Sequence, residues 1–133
     1  MILRMISKNT DCLEHLLILG TDTTEAMLPV VFATCKCLIS LQLFNCHKYN
    51  NESYAEFSNF SNTLHTLSIL YSSSIHTSSV LLLMTNFKSL VKLNVTSCES
   101  VDLSEVRLFR DNYRTELDLK LIRYVTSVSG FTK

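Results

Sequence analysis

The most constraining feature of this chain is a short phrase that recurs at an almost fixed interval. Apolar residues occupy the first, fourth and sixth positions of the phrase, as in Leu38, Leu41 and Leu43. Its five copies begin at residues 13, 38, 64, 90 and 116, so successive copies are 25, 26, 26 and 26 residues apart. Self-similarity at such a period is typical of chains in which one structural unit stacks on the next.

A second set of positions keeps the same interval and predicts one helix in each repeat. Val80, Leu83 and Phe87 stand ten, seven and three residues before the fourth phrase. Spacings of three and four place side chains on one face of a helix, whereas the fourth and sixth phrase positions have strand spacing. The same helix positions are held in the other repeats by Leu3, Ile6, Thr10, Leu28, Val31, Cys35, Tyr54, Phe57, Ser61, Val106, Phe109 and Tyr113. Each repeat is predicted to be a strand followed by a helix, with all strands parallel because every crossover is helical.

Charge is zero overall but unevenly placed. Residues 57–87 contain no Asp, Glu, Lys or Arg, while residues 99–123 hold 11 of the 24 charged residues. Within the last predicted helix, Arg107, Arg110 and Arg114 share one face and could engage an acidic partner. The neighbouring acidic residues are Glu105, Asp111 and Glu116. They neutralise the basic stripe, so nucleic-acid binding is not predicted. The favoured interpretation is a solvated helix face with these side chains exposed.

The five cysteines follow the repeat rather than a disulfide pattern. Cys46 and Cys98 take the ninth phrase position, Cys35 takes a helix-core position, and Cys12 and Cys37 directly precede a phrase. Small buried thiols that fill the interior are therefore predicted, all of them reduced.

A zinc cluster is the alternative interpretation of Cys35, Cys37, Cys46 and His47. Structural zinc sites usually show two closely spaced pairs, whereas the second pair here is one Cys and one His, so no metal and no cofactor are predicted. Reduced thiols and the lack of a recognisable signal peptide favour the cytoplasm or nucleus. The apolar run 80–84 is too short to cross a membrane, and no membrane association is predicted.

One repeat resembles the cysteine-containing subclass of leucine-rich repeats in detail. The matching residues are Ala26, Met27, Leu28, Cys35, Leu38, Leu41, Leu43 and Cys46. The resemblance, together with the interval, implies an α/β fold: a right-handed leucine-rich-repeat solenoid with a parallel sheet on the concave face and helices on the convex face. Two departures stand out, because Ser72 replaces the closing cysteine and Glu116 replaces the first leucine of the last phrase.

The predicted organisation is a single leucine-rich-repeat domain over 1–124, with a partial repeat over 1–12 and a tail over 125–133. This subclass is typical of F-box proteins, in which the repeats hold a substrate for a ubiquitin ligase. The F-box itself is not found in this sequence, so the chain is expected to be a fragment that would bind the ligase adaptor only through an F-box upstream. The alternative is a leucine-rich scaffold or signalling adaptor with no link to ubiquitin.

The third, fifth and seventh phrase positions predict the surface available for function, because side chains alternate along a strand. The seventh positions run from apolar Leu19, Phe44 and Leu70 to polar Thr96, and the apolar end suggests a partner-binding patch. The predicted protein-binding residues are Leu19, Gln42, Phe44, Ser68, Leu70, Lys92 and Asn94. No nucleophile motif, phosphate loop or paired-carboxylate site is recognisable, so enzymatic activity is not predicted.

Overall fold

The computed structural model describes residues 13–20, 35–46 and 63–123. These residues form five strands and two helices in the predicted order. The strands are β1 (His15–Leu19), β2 (Ser40–Phe44), β3 (Thr66–Leu70), β4 (Lys92–Thr96) and β5 (Asp118–Ile122), and the helices are α1 (Thr77–Asn86) and α2 (Leu103–Tyr113). Each strand spans the third to seventh positions of its phrase, so the strand prediction is confirmed in all five copies.

The strands form one sheet in the order β1-β2-β3-β4-β5, and every pair is parallel. The register is constant: Leu41 lies beside Leu16 on one side and Leu67 on the other. The row continues through Leu93 to Leu119. The first four leucines are buried, as predicted, but Leu119 is only partly buried. The prediction for Leu119 was therefore wrong, and both core-facing residues of β5, Leu119 and Leu121, are only partly buried against the core.

One hydrophobic core joins the sheet to α1. The inward-facing rows of the strands and the side chains of Val80, Leu83 and Phe87 belong to the same buried cluster. The predicted helix-core positions of this repeat are thus confirmed. Helix α1 has no side-chain hydrogen bond at its N-cap and no acidic residue in its first turn. Burial of its apolar face, rather than capping, therefore stabilises this ten-residue helix. The helix lies against the buried face of the sheet.

Helix α2 is held more loosely than α1. Val106 is its buried residue and Phe109 is partly buried against the core. Tyr113 was predicted to be a core residue, yet it is exposed. Its ring instead lies 4.9 Å from that of Phe109. The prediction for Tyr113 was therefore wrong, because its ring packs against its own helix and not against the buried cluster.

The N-cap of α2 is Asp102, whose carboxylate accepts hydrogen bonds from the backbone N–H groups of Ser104 and Glu105. The Ser104 hydroxyl also donates to it at 2.6 Å. This hydroxyl, followed by the Glu105 N–H, lowers the pKa of Asp102 below its usual value of 3.8. This cap was not predicted, although Asp102 and Glu105 have the spacing of a capping box.

The cap predicts an acid-sensitive contribution to stability. Because the folded-state pKa of Asp102 is depressed, its contribution is complete above pH 3.8 and is lost as pH falls through the folded-state value. We expect Asp102→Asn to keep a capping oxygen but to flatten the dependence of unfolding free energy on pH below about 4. Glu116, whose pKa is lowered by Arg114, contributes the residual slope. Urea unfolding at several pH values tests this, and equal slopes in both proteins would contradict it.

At the start of the last phrase, the residue that faces the core is shifted by one position. Glu116, which stands at the first position, is exposed, and Leu117 is buried in its place. In the other described copies the first position faces the core, and Leu38, Leu64 and Leu90 are buried there. A carboxylate cannot be buried unpaired at acceptable cost, so the chain turns the adjacent leucine inward.

The charged face predicted for α2 is only partly solvated. Glu105, Arg107 and Asp111 are exposed, as predicted. The Arg110 side chain is 28% exposed and donates to the Leu117 carbonyl as well as to Asp111. The prediction that Arg110 would be freely solvated was therefore wrong, because its guanidinium group binds the backbone carbonyl of the residue that precedes β5.

Arg114 departs further from the sequence prediction. Its side chain is only 11% exposed. The guanidinium group donates to the backbone carbonyls of Met84, Phe87 and Leu90 at 2.6, 3.2 and 2.9 Å, and to the Glu116 carboxylate at 2.8 Å. Arg114 therefore ties the C-terminal end of α1 to the last repeat and is not available to an acidic partner.

Candidate protein-binding surface

The side chains at the third, fifth and seventh phrase positions point away from the helices and form what we call the exposed sheet face. Its members are His15, Leu17, Leu19, Ser40, Gln42, Phe44, Thr66, Ser68, Leu70, Lys92, Asn94, Thr96, Asp118, Lys120 and Ile122. The constant register places each position in a straight row across the five strands. The surface is thus a grid of three rows and five columns, in which each residue type determines whether its position is apolar, polar or charged.

An apolar patch occupies the carboxyl end of this face over β1 to β3. Leu17 and Leu19 are 55% and 57% exposed, and Phe44 is 38% exposed. In the seventh-position row Leu19 pairs with Phe44, which pairs with the half-buried Leu70. We call these residues, together with Tyr71, the apolar patch. The predicted residues Leu19, Phe44 and Leu70 are therefore neighbours in the structure.

Tyr71 belongs to the patch although the sequence analysis did not select it. It directly follows β3, is 36% exposed, and its ring centroid lies 5.2 Å from that of Phe44 at an angle of 50°. Its backbone has φ = 54°, a left-handed conformation that is unfavourable for a bulky residue. The sequence contains only a partial signal of this turn, because the eighth phrase position holds Gly20, Asn45 and Ser97 in three of the other copies but Arg123 in the last.

The repeat itself explains the unusual backbone at this position. Asn45, Tyr71 and Ser97 all have φ between 52° and 61°. Their N–H groups donate to the carbonyl at the seventh position of the next strand, as Tyr71 does to Thr96 at 2.8 Å. Gly20 makes the same bond with a different backbone angle, and a Cβ there would collide with the Asn45 carbonyl. The turn that ends β3 has this shared geometry, and it brings the Tyr71 ring next to that of Phe44.

The remaining predicted binding residues differ in accessibility. Gln42 and Lys92 are exposed, whereas Ser68 and Asn94 are half-buried. The Asn94 side-chain oxygen accepts a 2.6 Å hydrogen bond from the Thr96 hydroxyl. Thr96 itself is buried, contrary to its predicted place on the exposed row. The apolar patch therefore ends at β4, where the surface becomes polar.

All the Asp, Glu, Lys and Arg side chains of the exposed sheet face lie on β4 and β5. They are Lys92, Asp118 and Lys120, and all three are exposed. Asp118 pairs with Lys92 in the sheet register, yet within the described part of the chain no ion pair of 4.0 Å or less joins Asp118 to either lysine. These charges are accordingly open to solvent and to a partner.

The described cysteines behave as packing residues. Cys35, Cys46 and Cys98 are buried and form no disulfide, and neither does the exposed Cys37, while Cys12 and His47 lie outside the described residues. Burial raises the pKa of the Cys98 thiol, which makes it a poor nucleophile. Across residues 13–20, 35–46 and 63–123, no three His, Cys, Asp or Glu side chains are placed to hold a metal ion.

Ser72 explains how one repeat dispenses with its closing cysteine. The hydroxyl is fully buried, accepts a hydrogen bond from the Cys46 N–H at 3.1 Å and donates to the Leu70 carbonyl at 3.3 Å. A thiol would form both bonds less well because sulfur is a weak donor and acceptor. Serine at this position therefore preserves the turn after β3, and with it the position of Tyr71.

A groove lies between the C-terminal ends of α1 and α2 and has a volume of about 550 Å³. Its lining includes the rings of Phe109 and Tyr113 and the side chains of Arg114 and Glu116. The two charged groups bind each other at 2.8 Å, and Arg114 also binds backbone carbonyls. Glu116, the carboxylate of this lining, is held by Arg114, which lowers its pKa and weakens it as a general base.

No helix in the described residues is both long enough and apolar enough to cross a membrane. Comparison with the models of known protein families, with curated proteins and with solved structures found no match. The described fold is α/β, with a five-stranded all-parallel sheet covered on one face by two helices.

Proposed function

We propose that this chain is a leucine-rich-repeat solenoid that recognises another protein through the exposed sheet face, which forms its concave surface. The support is a strand in every copy of the phrase, together with the helices on the opposite side of the sheet. Helical crossovers between parallel strands are right-handed in almost all proteins, which favours a right-handed array. Each crossover adds one strand beside the last, so the sheet grows in chain order.

The observation that carries the functional proposal is the apolar patch. Leu17, Leu19, Phe44 and Tyr71 are all more than one third exposed, although they lie on three neighbouring repeats. Single exposed apolar residues are normal, but a contiguous group on an otherwise polar sheet face is typical of an interaction site. Aromatic side chains in such patches often supply a large share of the binding free energy. The patch therefore favours a protein partner over a polar small molecule.

A narrower form of the proposal is that these repeats hold the substrate of an F-box-type ubiquitin ligase. Its support is the resemblance of residues 26–46 to the cysteine-containing leucine-rich repeats. An F-box encoded upstream of Met1 in the same transcript is the expected observation. A different domain there would favour the scaffold or signalling adaptor instead, and recognition by the apolar patch would still be tested separately.

Truncation of the central aromatic residue tests the role of the patch. We expect Phe44→Ala to weaken binding to a partner, isolated by cross-linking and pull-down, by more than about 1 kcal/mol, or roughly fivefold. The reason is that Phe44 lies between Leu19 and Tyr71 and contacts the partner from the middle of the patch. Isothermal titration calorimetry provides the measurement, and urea unfolding checks that the variant remains folded.

The matched control is Arg107→Ala, because Arg107 is exposed on α2, on the opposite side of the sheet. Arg110 would be a poor control since it donates to the Leu117 carbonyl. Equal losses from the Phe44 and Arg107 variants would place recognition on the helical side. Unfolding of Phe44→Ala would instead show that this side chain belongs to the core.

A further inference from the structure

We propose that the partner segment carries an apolar anchor residue and, about three to five residues away, a carboxylate. The anchor docks on the Phe44–Tyr71 pair, and the carboxylate docks between Lys92 and Lys120. This inference rests on the proposed function, because it specifies the chemistry of the partner that the exposed sheet face would recognise. It adds Tyr71, Lys120 and a defined distance between two subsites.

The anchor subsite is built by the backbone as well as by side chains. The Phe44 and Tyr71 rings are inclined at 50° with centroids 5.2 Å apart, so they form a shallow wedge rather than a flat stack. Tyr71 keeps a left-handed backbone at φ = 54°, where Asn45 and Ser97 fill the same position with small side chains. Among the turns that follow β1 to β4, this one alone adds a large and partly exposed ring to the sheet face.

The carboxylate subsite follows from the charges of the exposed sheet face. On β1, β2 and β3 none of its members is Asp, Glu, Lys or Arg. On β4 and β5 it carries Lys92, Lys120 and Asp118, with no ion pair of 4.0 Å or less between Asp118 and either lysine in the described residues. The face is therefore neutral at one end and carries a net charge of +1 at the other. A segment with an apolar residue at one end and an acidic residue at the other complements both.

The dimensions of the sheet set the spacing of the two groups. Neighbouring strands lie about 4.8 Å apart and residues rise about 3.3 Å each along a strand. On a flat grid of these dimensions the Phe44 Cα lies about 16 Å from the Cα of either lysine, and the two lysine Cα atoms lie about 8 Å apart. An extended segment advances about 3.4 Å per residue. The distance of about 16 Å corresponds to about five residues. The reach of the lysine and acidic side chains allows a shorter spacing, so a carboxylate three to five residues from the anchor can approach both lysines.

A random dodecapeptide library displayed on phage and selected against the full 133-residue chain tests the inference. We expect the enriched peptides to share a large apolar residue and an Asp or Glu three to five positions from it. The tightest peptide, synthesised with a fluorescent label, is then titrated by anisotropy with the unmodified chain and with variants. Measurements at low salt and at 0.5 M salt separate the charged contribution, because added salt screens exposed charge pairs.

Variants on the two subsites give distinct signatures. Tyr71→Asn places at this position the residue that Asn45 holds with a similar backbone, so we expect the fold to be kept and affinity to fall at least fivefold at both salt concentrations. Lys92→Met and Lys120→Met should each weaken binding about threefold to fivefold at low salt only. Asp118→Asn should strengthen binding about threefold at low salt, since it removes a negative charge beside both lysines.

The outcomes distinguish this inference from the function on which it rests. Peptides enriched in apolar residues without an acidic preference, or a bound peptide indifferent to the lysine and Asp118 variants, would overturn the inference. The proposed function would still stand if Phe44→Ala and Tyr71→Asn weakened binding. A selection that returned no peptide sensitive to Phe44→Ala would overturn both.

Discussion

Replacement of Leu67 by alanine is expected to lower the free energy of unfolding by about 2–5 kcal/mol. Leu67 is fully buried on the middle strand, with Leu41 beside it on β2 and Leu93 on β4. Truncation removes apolar surface from the core and leaves a cavity that the flanking strands cannot close, because their register is held by backbone hydrogen bonds. The loss is large because Leu67 packs between the inward-facing residues of both neighbouring strands.

Chemical denaturation followed by circular dichroism provides the measurement. Leu17→Ala is the matched control, since Leu17 is also a strand leucine but is 55% exposed. We expect that control to change the unfolding free energy by less than about 0.5 kcal/mol. A loss of similar size in both variants would contradict the assignment of inner and outer faces, because the alternation along the strands would then have no energetic consequence.

The strands and their pairing were predictable from the sequence because the interval contains this information directly. Alternation around Leu41 and Leu43 defines which side of the strand is buried, and the 26-residue step repeats that choice. Because the repeats are nearly equal in length, equivalent residues of neighbouring parallel strands lie side by side. The helix positions Val80, Leu83 and Phe87 were predictable for the same reason. Local spacing and fixed period together account for this part of the fold.

The candidate site was predictable only in part. Leu19, Phe44 and Leu70 could be placed side by side because they share one phrase position. Tyr71 could not, because its side chain reaches Phe44 only through a left-handed backbone at the end of β3. Alternation assigns sides within a strand and does not extend through such a turn. The same limit applies to Leu117, which faces the core one position away from its expected place.

Arg114 shows a different limit, because a charged residue on an amphipathic helix pattern normally indicates solvent. The acceptors that bury its guanidinium group lie at Met84, Phe87 and Leu90. These carbonyls are 24 to 30 residues away in the sequence, and nothing in the local pattern around Arg114 indicates them. Helix α1 has no basic residue in its last turn, and its C-cap backbone is not in the left-handed form that commonly closes a helix. Arg114 supplies this missing cap from the next repeat.

Arg114→Met is accordingly expected to lower the unfolding free energy by about 2–4 kcal/mol. Methionine keeps the aliphatic contacts of the arginine stem but removes every donor, so the carbonyls of Met84 and Phe87 at the C-terminal end of α1, and that of Leu90 before β4, lose their charged partner. The favourable interaction of a cation with that end of the helix dipole is lost as well. Arg107→Met is the control, because Arg107 is exposed on the same helix, and we expect a change below about 0.5 kcal/mol.

Arg114→Lys refines the interpretation of the loss. Lysine keeps the charge but cannot present the planar set of donors that reaches Met84, Phe87 and Leu90 together, so we expect it to recover less than half of the stability lost in Arg114→Met. Hydrogen exchange should show the cause directly, since the amides in the last turn of α1 should lose protection before those in β3. Full recovery by lysine would mean that charge alone stabilises the helix end. Unchanged stability in the methionine variant would mean that water replaces the guanidinium group at these carbonyls, and Arg114 would then have no role in joining the two repeats.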